Sequence, residues 1–179
     1  MAKKYDHIPE RQQKFIKEQK LFFVTTATAD SKINLSPKGM DSLRIIDNKR
    51  IAWLNLTGSG NETAAHLLEN NRITLMFCAF EGAPLILRIY GKARSYHPRD
   101  KIYHELINLF PKNPGARQII DIDIELVQVS CGMAVPYYEF KEERTQLKEW
   151  AEDKSREEFE VYWEERNSKS LDGKPTGIV

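Results

Sequence analysis

The residues Asn55-Leu-Thr-Gly-Ser-Gly-Asn-Glu-Thr63 place hydroxyls and glycines where an apolar run gives way to a helix-forming one. A helix N-terminus offers free N–H groups and the positive end of a dipole. Thr57, Ser59 and Thr63 add hydroxyl donors, and Gly58 and Gly60 let a ligand approach the main chain, so the segment has the make-up of an anion cradle. The competing reading is a plain strand-to-helix turn in which Ser59 or Asn61 caps the helix, and taken alone the segment favours it. A second stretch, Asn34-Leu-Ser-Pro-Lys-Gly-Met-Asp-Ser42, interrupts an extended run with Pro37 and Gly39 and leaves Lys38 at the irregularity. Proline and glycine weaken strand pairing, so the break marks either a bulge at a barrel corner or a ligand lying against the backbone. Lys38 is the charge there that would neutralise a phosphate. If the two strands carrying these stretches are neighbours, Lys38 and the 57–63 loop face one ligand.

The remaining reactive side chains form no recognisable set. His7, His66, His97 and His104 are scattered, without metal-ligand spacing, and read as surface or satisfied histidines; His66 caps or packs. Cys78 and Cys131 fall in strand-like segments without CxxC or Cys/His spacing, which points to a reduced, cytoplasmic protein, with Cys131 a small buried residue. No Ser/His/Asp or Cys/His pair can be defended from sequence order.

The elements that must position the two stretches follow from periodicity. Pro9-Glu10 opens a helix to about residue 19, the charged, helix-like segment into which Met1-Ala-Lys-Lys-Tyr-Asp leads. Strands are expected at 21–28, at 33–36 resuming at 42–46, and at 50–56, as three consecutive antiparallel strands. A short helix covers 64–70, strands return at 72–80 and 85–96, a helix follows His97-Pro98 to about residue 109, and a long alternating strand spans 118–129. Gly91 marks a bulge or a close approach. Beyond Phe140 the pattern is helical, anchored by Leu147, Trp150, Phe159 and Trp163.

At 179 residues, with 41% hydrophobic and 30% charged residues, the chain suits one globular domain. Its apolar runs are too short to span a bilayer, and it opens on no signal-peptide core, so membrane and secretory readings are set aside. The net charge is +1, but residues 1–138 carry 19 Lys+Arg against 14 Asp+Glu, and residues 139–166 carry 6 against 11. A mildly basic body suits a small anionic ligand. Acidic residues between the C-terminal aromatics Tyr137, Tyr138, Phe140, Trp150, Tyr162 and Trp163 argue against nucleic acid and for core or subunit contacts.

The order Phe22-Phe-Val-Thr-Thr, Asn34-Leu-Ser-Pro-Lys-Gly, Ile51-Ala-Trp-Leu-Asn-Leu-Thr-Gly-Ser, His66-Leu-Leu-Glu-Asn-Asn-Arg-Ile-Thr-Leu-Met-Phe and Leu87-Arg-Ile-Tyr-Gly resembles the FMN-binding split-barrel superfamily related to pyridoxamine 5'-phosphate oxidase, over about residues 10–135. The resemblance implies a homodimer with FMN at the subunit interface. It places Ser36, Pro37, Lys38 and Gly39 along the flavin, with Lys38 near the phosphate. Thr57, Gly58, Ser59, Asn61 and Thr63 would hold the phosphate, and Asn55 and Arg88 are further cofactor-binding candidates. This chain departs from the oxidases in three places. Gly60-Asn61-Glu62-Thr63 stands where they carry an Arg-Lys pair, Ile86 where they carry glutamine, and the C-terminus lacks their Arg-Leu-x-Pro-like segment. Pyridoxamine phosphate oxidation is therefore not inferred.

The expected architecture is mainly β (α+β): a six-stranded antiparallel Greek-key split barrel with peripheral helices over 1–138. A helical extension, 139–179, would pack on the barrel or on the partner subunit, with its aromatics closing over the partner's flavin. The expected function is FMN-dependent oxidation or reduction of a small organic substrate by hydride exchange at flavin N5, with no catalytic residue assigned and no metal. Alternatives are a flavin-binding sensor or carrier without turnover, and a barrel using the deazaflavin F420 or haem.

Overall fold

A computed structural model describes residues 2–179. Its strands are β1 (Lys3–Tyr5), β2 (Phe22–Thr26), β3 (Asn34–Lys38), β4 (Leu43–Asp47), β5 (Arg50–Leu56), β6 (Arg72–Cys78), β7 (Ile86–Tyr96) and β8 (Ala116–Ser130). Its helices are α1 (Glu10–Glu18), α2 (Glu62–Glu69), α3 (Lys101–Leu106), α4 (Gln146–Glu152) and α5 (Arg156–Tyr162). The strands form one antiparallel sheet in the order β3-β2-β6-β7-β8-β5-β4, with β1 added on β8. The sheet curls around an apolar interior but stays open between its end strands β3 and β4, giving a mainly β split-barrel architecture with helices outside.

Two local differences raise the strand count from the expected six to eight. The first residues, for which no strand is expected, pair Lys3–Tyr5 with β8, an edge that tolerates a short charged strand. The stretch taken as one interrupted strand is two strands, at opposite ends of the sheet order. β3 runs through Pro37, which sits opposite Phe23. An edge strand can carry a residue without an N–H because its outer side needs no partner. The break falls instead at Gly39–Ser42, where Met40 and Asp41 adopt left-handed conformations (φ 60° and 52°) and Ser42 Oγ donates to the Gly39 carbonyl (2.7 Å). β4 then pairs with β5, while β3 pairs with β2, so the two candidate stretches are not hairpin neighbours.

β5 is buried on both faces, which its sequence Arg-Ile-Ala-Trp-Leu-Asn-Leu allows. Ile51 and Trp53 enter the barrel core with Val24, Leu75, Leu87, Ile89, Ile120 and Ile122. Ala52 and Leu54 pack outward beneath Tyr103, Leu106 and Phe110 of α3 and the tight turn after it. Gly91 marks both a bulge in the β7–β8 register and a close approach, since a Cβ there would overlap the Asp123 carbonyl. A third cluster, Ala151, Phe159, Trp163 and Ile178 with Trp150 and Tyr162, holds the C-terminal segment together. Leu147, Tyr137, Tyr138 and Phe140 remain exposed. Cys131, expected in a strand and buried, lies past the end of β8 and is exposed. Among the described residues no helix is long and apolar enough to cross a membrane.

Candidate functional site

β5 delivers the chain through residues 57–61 to the N-terminus of α2, and this loop forms one wall of a cleft of about 310 Å³. The opposite wall is β3. Asn34, Ser36 and Lys38 share its half-buried face, while Leu35 and Pro37 alternate outward, as a strand requires. Trp53 and Asn55 of β5 and Arg117 of β8 complete the lining with Gly58, Ser59, Gly60, Asn61, Glu62 and Thr63. The two stretches singled out by sequence therefore meet without their strands being neighbours, because Lys38 reaches across the barrel's open seam. Its Nζ lies 5.2 Å from the Trp53 ring centroid.

The electrostatics of the cleft favour an anion. Lys38 forms no ion pair among the described residues. Burial, with the nearby Arg117 charge adding to it, pushes its ammonium down to about 8. Arg117 is almost fully buried, and burial pushes its guanidinium down to about 10. Its Nη1 donates to the Gly60 carbonyl (3.0 Å) and to Asn167 Oδ1 (2.7 Å), both uncharged, and its Nε has no partner among the described residues. Two desolvated cations thus line one space, neither of them in an ion pair among the described residues, an arrangement that burial penalises and a bound anion relieves. Glu62 also lines the cleft, but its carboxylate accepts the Leu171 N–H (3.0 and 3.2 Å).

The helix N-terminus is equally unsatisfied. Asn61 occupies the cap position of α2, yet its side chain makes no capping bond. Its amide instead exchanges hydrogen bonds with Gln118 (Gln118 Nε2 to Asn61 Oδ1 2.9 Å; Asn61 Nδ2 to Gln118 Oε1 3.4 Å). The first-turn N–H groups are left without a side-chain acceptor, which speaks against the plain-turn reading. Asn34 Nδ2 donates to Thr63 Oγ1 (3.2 Å), occupying a lone pair and leaving the Thr63 hydroxyl proton for another acceptor. No Cβ at Gly58 would meet an atom within 4 Å, so the main chain is open to a ligand there.

Of the sequence candidates, Ser36, Lys38, Asn55, Gly58, Ser59, Asn61 and Thr63 line this cleft, and Pro37, Gly39, Thr57 and Arg88 do not. Thr57 is buried: its Oγ1 donates to the Gly115 carbonyl (2.9 Å) and accepts from Trp163 Nε1 (2.9 Å). Arg88 donates to Ser130 Oγ (3.2 Å). Gly39 borders a separate groove of about 450 Å³ between α1 and β4, floored by Phe22, Leu43, Ile45 and Phe77, where Arg44 is already bound to Asp41. His66 is fully buried, its Nδ1 3.0 Å from Thr26 Oγ1, and does not line the cleft. Sequence reasoning missed Arg117, Gln118 and Asn167. The only signal for Arg117 was a charge at the start of an otherwise apolar-rich strand.

A family model described as pyridoxamine 5'-phosphate oxidase matches residues 8–131, which covers β2 to β8 and every residue lining the cleft. The chain belongs to the pyridoxamine 5'-phosphate oxidase family. A member from Aspergillus flavus, the pyridoxamine 5'-phosphate oxidase family protein ustO, is 33% identical over 189 residues, spanning 96% of this chain and 76% of that protein. Among solved structures, HupZ from Group A Streptococcus, as a single-site variant, superposes with a TM-score of 0.54 at 22% identity, covering 67% of this chain and 97% of the other. A candidate pyridoxamine 5'-phosphate oxidase from Lactobacillus delbrueckii gives 0.54 at 18% identity, with 69% and 94% covered. At these identities the two structures support the family fold, and the chemistry of this member rests on its own cleft.

Proposed function

We propose that the protein binds FMN, with the phosphate between Lys38, Arg117 and the first turn of α2, and that it acts as a homodimeric oxidoreductase on a small organic substrate. The carrying observation is that half-buried Lys38 and buried Arg117, neither in an ion pair among the described residues, face one cleft at an uncapped helix N-terminus. The cleft fits an organic phosphate in three further respects: an unpartnered Arg117 Nε, an open main chain at Gly58, and the Thr63 hydroxyl. Arg117 and Lys38 would supply the charge in place of the loop Arg-Lys pair of the oxidases that this chain resembles.

Bound FMN would contribute hydride exchange at N5, and the chain's part is to bind, orient and shield it. Ser36 donates to Asn34 Oδ1 (2.8 Å), so its oxygen is oriented as an acceptor on the β3 wall. Thr63 is oriented as a donor on the loop wall. A second reading, a flavin carrier or sensor without turnover, is favoured by one observation: the single carboxylate lining the cleft, Glu62, is committed to the Leu171 N–H, leaving no evident acid–base pair. The readings separate on whether protein-bound flavin, once reduced by NAD(P)H, passes electrons to any organic acceptor with turnover. Titration with FMN, followed by flavin fluorescence, tests binding itself.

A further inference from the structure

The last segment of the chain lies outside the matched residues 8–131, yet it hydrogen-bonds to the loop and the arginine that wall the cleft. α5 starts at a full capping box, in which Ser155 Oγ accepts from the Glu158 N–H and the Glu158 carboxylate accepts from the Ser155 N–H. The helix ends in one widened turn, Trp163–Asn167. Such turns shift side chains out of normal helical register and recur at functional sites. Here the turn delivers two polar groups to the loop. Trp163 Nε1 donates to Thr57 Oγ1 (2.9 Å), and Asn167 Nδ2 donates to the Gly58 carbonyl (3.0 Å).

Asn167 is fully buried and uses both ends of its amide. While Nδ2 holds Gly58, Oδ1 accepts from Arg117 Nη1 (2.7 Å), and the same Nη1 donates to Gly60 (3.0 Å). The main-chain carbonyl of Asn167 accepts from Thr176 Oγ1 (2.6 Å), so the residue's backbone is anchored from the tail side as well. Only a neutral amide can do both tasks. A carboxylate would lose the bond to Gly58 and cancel the Arg117 charge; an apolar residue would release both partners.

We propose that Asn167 is a positioning residue: it aligns the Arg117 guanidinium and the 57–60 main chain toward the ligand phosphate while leaving the positive charge uncompensated. The proposal rests on the phosphate reading of the cleft. Because the segment holds the loop, phosphate binding and the order of residues 163–170 are linked, each strengthening the other.

The test compares FMN with riboflavin, which lacks the phosphate, on wild-type protein, Asn167→Asp and Asn167→Ala. A purely structural role would weaken both ligands equally. The proposal expects a wild-type preference for FMN, its reduction by about 10- to 100-fold in Asn167→Asp and by a smaller factor in Asn167→Ala, and little change for riboflavin. Should Asn167→Asp fail to fold, Asn167→Ala and hydrogen exchange on wild type decide: FMN, and not riboflavin, should slow amide exchange across residues 163–170. A full FMN preference in the folded variants, or no phosphate-dependent protection, overturns the role of Asn167. A wild-type protein that binds both flavins without preference instead overturns the phosphate reading and this inference with it.

Discussion

Lys38 sets the pH dependence of the site. Its ammonium titrates near 8 rather than 10.5 because burial disfavours the charged form, and an anion in the cleft favours that form again. Affinity for FMN should therefore hold below about pH 8 and fall as pH rises through it, and Lys38→Met should bind FMN about tenfold or more weakly at pH 7 with that dependence gone. Stability moves the other way. Between about 8 and 10.5 the unfolded chain binds the proton that the folded, ligand-free one has lost, so stability rises with pH across this window. The cost of burying the charge is fully present below it. Ligand-free Lys38→Met should accordingly melt above wild type at pH 7, with the difference closing toward pH 10.5; equal melting at pH 7 would show that Lys38 is already neutralised. Lys38 and the 57–63 loop were legible from sequence because Pro-Lys-Gly in a strand and Thr-Gly-Ser-Gly before a helix break local rules visibly. Arg117 was not legible. Its burial is created by the 57–60 loop and by Asn167, fifty positions further along the chain, and no local pattern reports a contact of that range.

The elements carry these groups into place through a few irregularities. The 22–26 and 34–38 hairpin, the strand at 50–56 and the helix starting at residue 62 follow from alternation and turn chemistry, and sequence reasoning found them close to their observed bounds. The left-handed pair Met40-Asp41 was missed because methionine rarely adopts that conformation and aspartate does so only occasionally, so one strand was read where the chain leaves one end of the sheet for the other. The N-terminal strand was missed because Lys3-Lys-Tyr5 has no apolar alternation; its pairing on β8 supplies the structure. Gly91 was readable, since a glycine within an apolar strand marks a bulge or a contact, and here it is both. Gly91→Ala should cost about 1–3 kcal/mol in denaturant unfolding, because the added methyl meets the Asp123 carbonyl and the backbones must part. Unchanged stability would mean that the β7–β8 bulge relaxes freely.

At the scale of the molecule, the acidic C-terminal segment packs on the chain's own 57–60 loop, through Trp163 and Asn167. That contact puts its aromatic cluster beside the loop of the same chain. What the single chain leaves uncovered is apolar surface at Ile33 and Leu35, around the edge strand β3, and at Tyr137, Tyr138 and Phe140. The proposed homodimer would cover such surface, and light scattering at micromolar concentration should give twice the mass of one chain; a monomer would contradict it. The central claim is that the cleft between β3 and the N-terminus of α2 holds the phosphate of FMN. It is tested most directly by releasing any bound compound from the purified protein by heat, identifying it by mass and absorption, and titrating the stripped protein with FMN. The account predicts released FMN, or saturable binding of added FMN near one per chain that inorganic phosphate weakens; a colourless protein that FMN fails to bind would contradict it.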